Sequence, residues 1–511
     1  MGIRLEKRLA AGSLASFVAL LLGIGTTIAQ VPLLLSAWGE DTYGAWLLVI
    51  ATNALITSID LGHQNFVGNR LSMLGLHDVA GCRKVLGSAV RIAYVIGAVE
   101  VAATVAAVWS GVFATWVPSA QAGMIGIREQ AEICLLLYIV YHAILVSLSG
   151  IVVRLYYVGG LYARAQWIGI VHRFVMFLSL VAAAGGGASL LVATIATLGA
   201  GALISVWVLN DLRMRFPLLW PWWQEGSFGF GMHQAVMSMG LTATAASDQC
   251  ASVGLLGIAG SHTRGHGVAT LGTLRTLTNS VLQAAGIFVL PVVPDLSRYA
   301  ASADRDKAAA ALSALWLLST APLCAGVSGL APFAQPVYEW WTRGRLTFSA
   351  SLFMLLAVGV LVRQWQTPSA LFLFSANRLR AQFIVSALRT LTLLGLLAIG
   401  FSVSGNILVA GLAVLGSESA GAIAATFCVS AFFRDMNGTL PTLSAGLALG
   451  QVVTTAICGF AWIAGLGPAT AIVGASLLAH LILAMLQWLA QPREVKQRMK
   501  SLLMSRLAAE V

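Results

Sequence analysis

Charge is what this sequence has least of. Only 10% of its 511 residues are Asp, Glu, Lys or Arg, against about 25% in a soluble domain whose surface meets water. With 58% hydrophobic residues, most of the surface has to meet lipid, which excludes a string of soluble domains. Cysteine is sparse as well. Cys82, Cys134, Cys250, Cys324, Cys428 and Cys458 show no C-x-x-C spacing, and none falls in an expected outer loop, so neither a disulfide framework nor a zinc site is indicated. No G-x-x-x-x-G-K-[ST] occurs, so the chain contains no P-loop ATPase of its own. No His-rich or carboxylate-rich cluster points to a metal, and no cofactor is expected. The longest expected outer loop, about 114–130, is small for an enzyme that polymerises sugars outside a membrane. Covalent chemistry is therefore not expected.

What is present is a series of apolar runs of about 20 residues, the length that crosses a hydrocarbon core of about 30 Å as a helix. They fall near 12–36, 42–62, 85–113, 131–153, 164–184, 187–208, 230–258, 267–292, 308–332, 349–373, 381–401, 407–433, 441–464 and 466–490. Ser417, Glu418 and Ser419 interrupt the run at 407–433. The 13 prolines and 52 glycines are dispersed through these runs, as bundled membrane helices tolerate. The expected fold is an all-α integral membrane protein of about 14 transmembrane helices. Arg4, Lys7 and Arg8 precede the first run as in a signal peptide, but that run is too long and no small-x-small site ends it before Trp38. It reads as an uncleaved anchor.

The cations set a topology. Loops assigned to the side of the N-terminus are 63–84, 154–163 (extended to Arg164), 209–229, 293–307, 374–380 and 434–440, with the tail from Gln491. Together with the N-terminus they hold 21 Lys or Arg, whereas the opposite side has only Arg128, Arg264, Arg343 and Arg345. The positive-inside rule puts both termini in the cytoplasm. The net charge of +11 is thereby explained by loops facing anionic lipid headgroups, and no nucleic-acid partner is expected. The basic tail 491–511 reads as a solvated end, with Leu502, Leu503 and Leu507 offering the alternative of an amphipathic surface helix.

Two halves repeat. Between the first two runs stands GEDTYGAW, Gly39 to Trp46, and between the seventh and eighth stands GSHTRGHG, Gly260 to Gly267. Both contain G-x-x-T-x-G, and the helix after each ends in a related motif, Arg70–Leu71–Ser72 or Asp295 to Arg298. Repeats six spans apart make parallel halves related by an axis along the membrane normal, a transporter plan that places the site at the repeat interface. The expected organisation is a six-helix bundle at 1–208, a second at 209–433, two further helices at 434–490 and a basic cytoplasmic tail at 491–511.

These residues resemble the polysaccharide transporter family, the Wzx-type flippases of bacterial lipid-linked oligosaccharides, within the multidrug/oligosaccharidyl-lipid/polysaccharide exporter clan. Its glycine-acid-x-tyrosine-glycine turn falls on Gly39, Glu40, Tyr43 and Gly44. Its aspartate-leucine-glycine falls on Asp60, Leu61 and Gly62, and its arginine-leucine-serine on Arg70, Leu71 and Ser72. SDQCASVGLLGIAG around Asp248, PVVPDLSRYAASADRD and SANRLRAQ are similar too, so the resemblance covers the chain to about residue 400. The tyrosine usual after the second-half turn is absent from GSHTRGHG. The resemblance implies a flippase that moves a polyprenyl-pyrophosphate-linked oligosaccharide outward across the bacterial inner membrane by alternating access. It also implies membrane lipids as partners, with a polysaccharide polymerase and export machinery beside them. The alternative on the same fold is an exporter of small amphipathic or cationic compounds.

Charges inside the apolar runs are the candidate site. Arg91, Arg173, Arg275, Arg363 and Arg389 lie within them, and no lysine does. A charge at a helix centre costs about 3 kcal/mol on the insertion scale, so each has to face a cavity or a partner. The planar guanidinium fork suits phosphate. Arg275, Asn279 and Gln283 form one polar stripe at i, i+4 and i+8; with Arg173 and Arg363 they are the expected substrate-binding set. Arg91 and Arg389, two turns from the cytoplasmic end, fit snorkelling to the headgroups. Glu100 and Asp248 are the expected coupling carboxylates, because a mid-membrane acid is able to carry a proton. Asp60 reads instead as half of a pair that fixes helix packing, and His142 and His480 as histidines satisfied by neighbouring helices.

Overall fold

The computed structural model describes residues 2–117, 125–263, 265–289, 305–376, 378–491 and 496. All regular structure among them is helical, and eleven stretches are long and apolar enough to cross a membrane. The first such stretch, Val18–Leu74, has 57 residues. As one straight helix it would measure about 85 Å, against a hydrocarbon core of about 30 Å. It belongs to α1 (Gly2–Leu74), which breaks at Gly39, with φ 74° and ψ −178°. That backbone region is open essentially to glycine alone, so the break falls at the start of the turn read from the sequence. Gly39→Ala is expected to cost about 1–3 kcal/mol, seen as a lower unfolding temperature in detergent; an unchanged melt would show the turn to be unstrained.

The chain divides into two compact units, Met1–Thr273 with Trp341–Leu346, and Leu274–Trp340 with Thr347–Val511. This boundary follows packing and lies at Thr273, whereas the repeat boundary at 208 follows chain order; the two measure different properties.

The first unit contains α1, α2 (Val79–Trp109), α3 (Val112–Trp116), α4 (Ile125–Tyr141), a π-helical segment His142–Val146, α5 (Ser147–Val152) and α6 (Leu155–Val158). It continues through α7 (Tyr162–Gly185), α8 (Leu190–Arg215), α9 (Phe228–His262) and the start of α10 (Gly265–Val289). Its long first helix packs against α9, α7, α2 and α4. Lipid removes the hydrophobic drive between helices, so close approach at small residues and polar bonds have to supply the contact. Both occur on α1: Gly62 abuts Thr242 of α9, and the Thr242 hydroxyl donates to the Ile59 carbonyl at 3.4 Å. A buried apolar cluster around Leu71, Leu86, Tyr156, Leu212 and Trp222 fills one end.

Hydrogen bonds at the two ends of this unit sort the loops as the cations do. At one end Trp38 Nε1 donates to the Ala188 carbonyl at 3.0 Å, Arg345 Nη1 to the Leu35 carbonyl at 3.2 Å, and His266 Nδ1 meets Glu40 Oε2 at 2.6 Å. All belong to the cation-poor set. At the other end Arg83 pairs with Glu225 at 2.7 Å, Arg164 with Asp211 at 2.7 Å, and Arg154 Nη2 donates to Asn65 Oδ1 at 2.8 Å. These belong to the cation-rich set. Tryptophans gather there, with Arg213 4.9 Å from the Trp220 ring centroid and Trp220 edge-on to Trp222, the chemistry of a membrane–water boundary.

The second unit holds the rest of α10 from Leu274, α11 (Arg305–Leu330), α12 (Ala334–Trp341) except its last residue, α13 (Ala350–Ser375), α14 (Leu379–Val403), α15 (Leu408–Asp435), α16 (Thr442–Ile463) and α17 (Ala469–Leu489). α13 packs on α15 and α16, α14 on α15, and α11 on α13, α16 and α17. Despite Ser417, Glu418 and Ser419, α15 runs unbroken. Ser417 and Ser419 donate back to the Val414 and Leu415 carbonyls, so only Glu418 is left to find a partner elsewhere. The last two helices, expected outside the repeated core, are bonded firmly to α11. Gln491 donates to Ser313 of α11 at 2.8 Å and Thr455 of α16 to the Cys324 carbonyl of α11 at 3.4 Å, while bonds from Gln487 to Ser444 and from Gln451 to Gln487, each at 3.2 Å, join α17 to α16. His480 Nε2 lies 3.0 Å from Ser328 and 3.2 Å from Thr455, satisfying one ring nitrogen from neighbouring helices.

Candidate functional site

Two groups of intramembrane charge emerge, one in each unit. In the second unit α13, α14 and α15 bring Arg363, Arg389 and Glu418 together. Arg363 Nη1 lies 3.8 Å from Glu418 Oε1, and Arg389 Nη1 lies 3.6 Å from Glu418 Oε2. Arg275 of α10 shares their field, attracted by Glu418 and repelled by both arginines. Three cations therefore surround one anion. Glu418 is 9% exposed and Arg389 7% exposed, so their attraction is poorly screened, whereas the Arg363 side chain is 36% exposed. Among the described residues the cluster thus gathers three guanidiniums at the Glu418 carboxylate. Its forks are suited to the non-bridging oxygens of a phosphate.

The expected site residues separate accordingly. Arg275 and Arg363 are in this cluster. Asn279 follows Arg275 by one turn and is half-buried, while the side chain of Gln283 lies outside the described residues, as do most of the loop 293–307 and the tail. Gln364, beside Arg363, is 1% exposed, and Thr367 returns its hydroxyl to the Arg363 carbonyl at 2.9 Å. Arg173 belongs to the first unit, exposed on α7 with its guanidinium against Gly23 of α1. Arg91 does reach the membrane end, donating to the Trp223 carbonyl at 3.3 Å. Arg389 does not snorkel: it is buried and turned to Glu418. Its position near a helix end concealed this role, and the one signal was a carboxylate inside the opposing run at 407–433.

In the first unit, Asp60, Glu100 and His142 meet. Asp60 is 0% exposed; its Oδ2 accepts from Gln64 Nε2 and Ser147 Oγ, each at 2.7 Å, and lies 3.4 Å from His142 Nε2. The same imidazole nitrogen is 3.8 Å from Glu100 Oε2. Glu100, also 0% exposed, has His142 as its cationic neighbour among the described residues. Asp60 was expected to pair with an arginine; among the described residues its ionic partner is a histidine instead. Asp248 is half-buried on α9.

The two repeated turns also touch. Glu40 of GEDTYGAW and His266 of GSHTRGHG form the 2.6 Å contact noted above, while Tyr43 is buried against Thr273. Among the described residues no group of three or more His, Cys, Asp or Glu is arranged to hold a metal ion.

No protein-family model and no curated protein matches this sequence. Solved structures do match. A lipid II flippase MurJ in an inward closed conformation aligns with a TM-score of 0.66 at 13% identity, covering 93% of this chain and 97% of that one. An inward-facing multidrug resistance MATE transporter of the MOP superfamily aligns with a TM-score of 0.60 at 13% identity, covering 81% and 95%. A MOP superfamily transporter from Pyrococcus furiosus, described as having a binding pocket of reversed polarity, aligns with a TM-score of 0.53 at 12% identity, covering 86% and 96%. The chain thus has the fold of MOP-superfamily transporters and is a multi-pass membrane protein.

Proposed function

We propose that the chain is a flippase moving a polyprenyl-pyrophosphate-linked oligosaccharide from the cytoplasmic to the outer leaflet by alternating access, in the export of a surface polysaccharide. The observation that carries this reading is the arginine cluster: Arg275, Arg363 and Arg389 about a single carboxylate, Glu418. Gathered guanidiniums repel a cationic guest, whereas their planar forks match the oxygens of a pyrophosphate. In this reading Arg275 and Arg363, with Arg389 added, hold the phosphates, and Asn279 and Gln283 of the sequence stripe are the further substrate-binding residues. In the first unit Arg173 stands as a separate substrate-binding candidate, and Glu100 and Asp248 serve coupling. The polyprenyl chain stays in lipid while the head crosses.

The same reading takes the chain as 14 spans in a six-plus-six-plus-two order, with both termini in the cytoplasm of a bacterial inner membrane. Eleven candidate stretches reach that number when α1 is counted twice across Gly39 and when α9 and α10 are added, each at least as long as the roughly 20 residues a crossing requires. The polymerase and export machinery are its expected neighbours.

Replacing Arg275 by alanine is expected to impair export strongly while leaving the amount of protein in the membrane unchanged, measured by surface-glycan labelling beside quantitative immunoblotting. Normal export would remove Arg275 from the site. The second reading, an exporter of small amphipathic or cationic compounds, is favoured by the Asp60–Glu100–His142 group, which offers negative charge to a cationic guest. Drug hypersensitivity of a deletion strain with intact surface glycan would establish it instead.

A further inference from the structure

We infer that Asp60, His142 and Glu100 form a proton-binding site, with the imidazole bridging two carboxylates and the exchangeable proton held on Glu100. This deepens the coupling role proposed for Glu100, naming the ion and the other two members of its site.

Three observations carry it. First, both carboxylates are wholly buried in helices whose outer faces are apolar. Asp60 and Glu100 ionised beside a protonated His142 would leave one uncompensated negative charge, and an uncompensated charge inside a bundle is expensive. One proton on Glu100 makes the trio neutral. Second, the oxygens that would bear that charge are unfilled: Asp60 Oδ1 and both oxygens of Glu100 have no hydrogen-bond partner among the described residues. Third, the surroundings are built around the imidazole. The helix widens to π geometry over His142–Val146, an irregularity often found at functional sites. Ser147, just beyond it, fastens Asp60 at 2.7 Å.

The neighbours of this site favour a proton over a metal cation. Hard cations require about six oxygen ligands, but Gln64 Nε2, Ser147 Oγ and His142 Nε2 all face Asp60 Oδ2, and two of those atoms are nitrogen. The elements packed around it also carry His63 on α1, buried at 1% exposure, Tyr94 on α2, Cys134, Tyr138 and Tyr141 on α4, and His233, Asp248 and Cys250 on α9. Tyr141 turns to His172 and Ser205. Arg91 on α2 is occupied by the Trp223 carbonyl. Among the described residues no lysine or arginine is within ion-pair distance of Asp60 or Glu100. Protonation is thus the available route to neutrality.

The test uses the purified full-length protein and requires no glycan, so its outcome is separate from that of the flippase reading. Proton uptake is counted in weakly buffered detergent solution between about pH 8 and about pH 5, with infrared difference spectra recorded in light and heavy water. Wild type is expected to show a protonated-carboxyl stretch that shifts in heavy water and disappears on alkalinisation. Glu100→Gln should abolish that band and lower the uptake, and His142→Asn should move its midpoint. The wild-type spectrum alone keeps the proposal falsifiable if either variant fails to fold. Equal uptake by wild type and Glu100→Gln, absence of the band, or a band that responds to sodium and not to pH would each overturn it. A site that titrates as expected in a protein that flips no glycan would leave this inference standing and refute the proposed substrate.

Discussion

Glu418→Gln is expected to destabilise the protein by about 3 kcal/mol and at the same time to make it more responsive to pyrophosphate. The stability loss follows from what remains. Glu418 is the carboxylate within 4 Å of both Arg363 and Arg389, and removing one member of a buried charge group takes its compensation from the partners, whereas removing both sides is tolerated far better. The double variant Glu418→Gln with Arg389→Met should therefore recover most of the loss. The gain in response follows from competition. If the phosphates of the cargo take over the guanidiniums now facing Glu418, deleting that carboxylate removes an internal competitor. Inorganic pyrophosphate should then raise the unfolding temperature of Glu418→Gln more than that of wild type. Differential scanning fluorimetry in detergent reads both effects. A single variant as stable as wild type would show that the carboxylate does not hold the arginines, and an equal pyrophosphate response would show that it does not compete with the cargo.

That carboxylate also shows where the sequence stops being legible. Apolar runs of the expected length correspond to helices long and apolar enough to cross a membrane, because a bilayer imposes one length on every crossing helix. Glu418 looked like a defect in such a run. In the structure it is the reason the run contains a charge at all, with Arg363 and Arg389 approaching from two other helices. The same holds for His142. Alone in its helix it reads as a packing residue, and only the packing of α1, α2 and α4 reveals that it lies between Asp60 and Glu100. Periodicity records what one helix shows to its surroundings, but an ion pair between helices depends on rotation and depth, which no single helix encodes.

Local motifs were more informative than isolated charges, because their residues have reasons that lie close by in the fold. In the Gly39–Glu40–Tyr43–Gly44 turn, Gly39 takes the backbone break, Glu40 meets His266 and Tyr43 fills a buried site. In Arg70–Leu71–Ser72, Leu71 enters the core and Ser72 donates its hydroxyl back to the Gly68 carbonyl of its own helix. The similarity of the two turns showed on the page, whereas their direct contact through Glu40 and His266 did not.

Asp60–Leu61–Gly62 yields the second large prediction. Gly62→Ala should destabilise the first unit by about 3 kcal/mol, near the upper part of the range for forcing atoms into a packed interface. A Cβ on Gly62 would lie 2.5 Å from the Thr242 backbone nitrogen and 2.6 Å from its Cα. These are backbone atoms of α9, so no side-chain rotation relieves the overlap; the helices have to separate. Separation would also weaken the Thr242 bond to Ile59 and disturb Asp60 next to it, so the loss should exceed that of a simple methyl insertion. The control is Gly169→Ala on α7, where nothing lies within 4 Å of the added carbon and the better helix propensity of alanine favours a gain of up to about 1 kcal/mol. Unfolding temperatures of the two variants should thus move in opposite directions. If Gly62→Ala melts with Gly169→Ala, then α1 and α9 do not touch at Gly62, and the glycine of this motif owes its place to something other than helix contact.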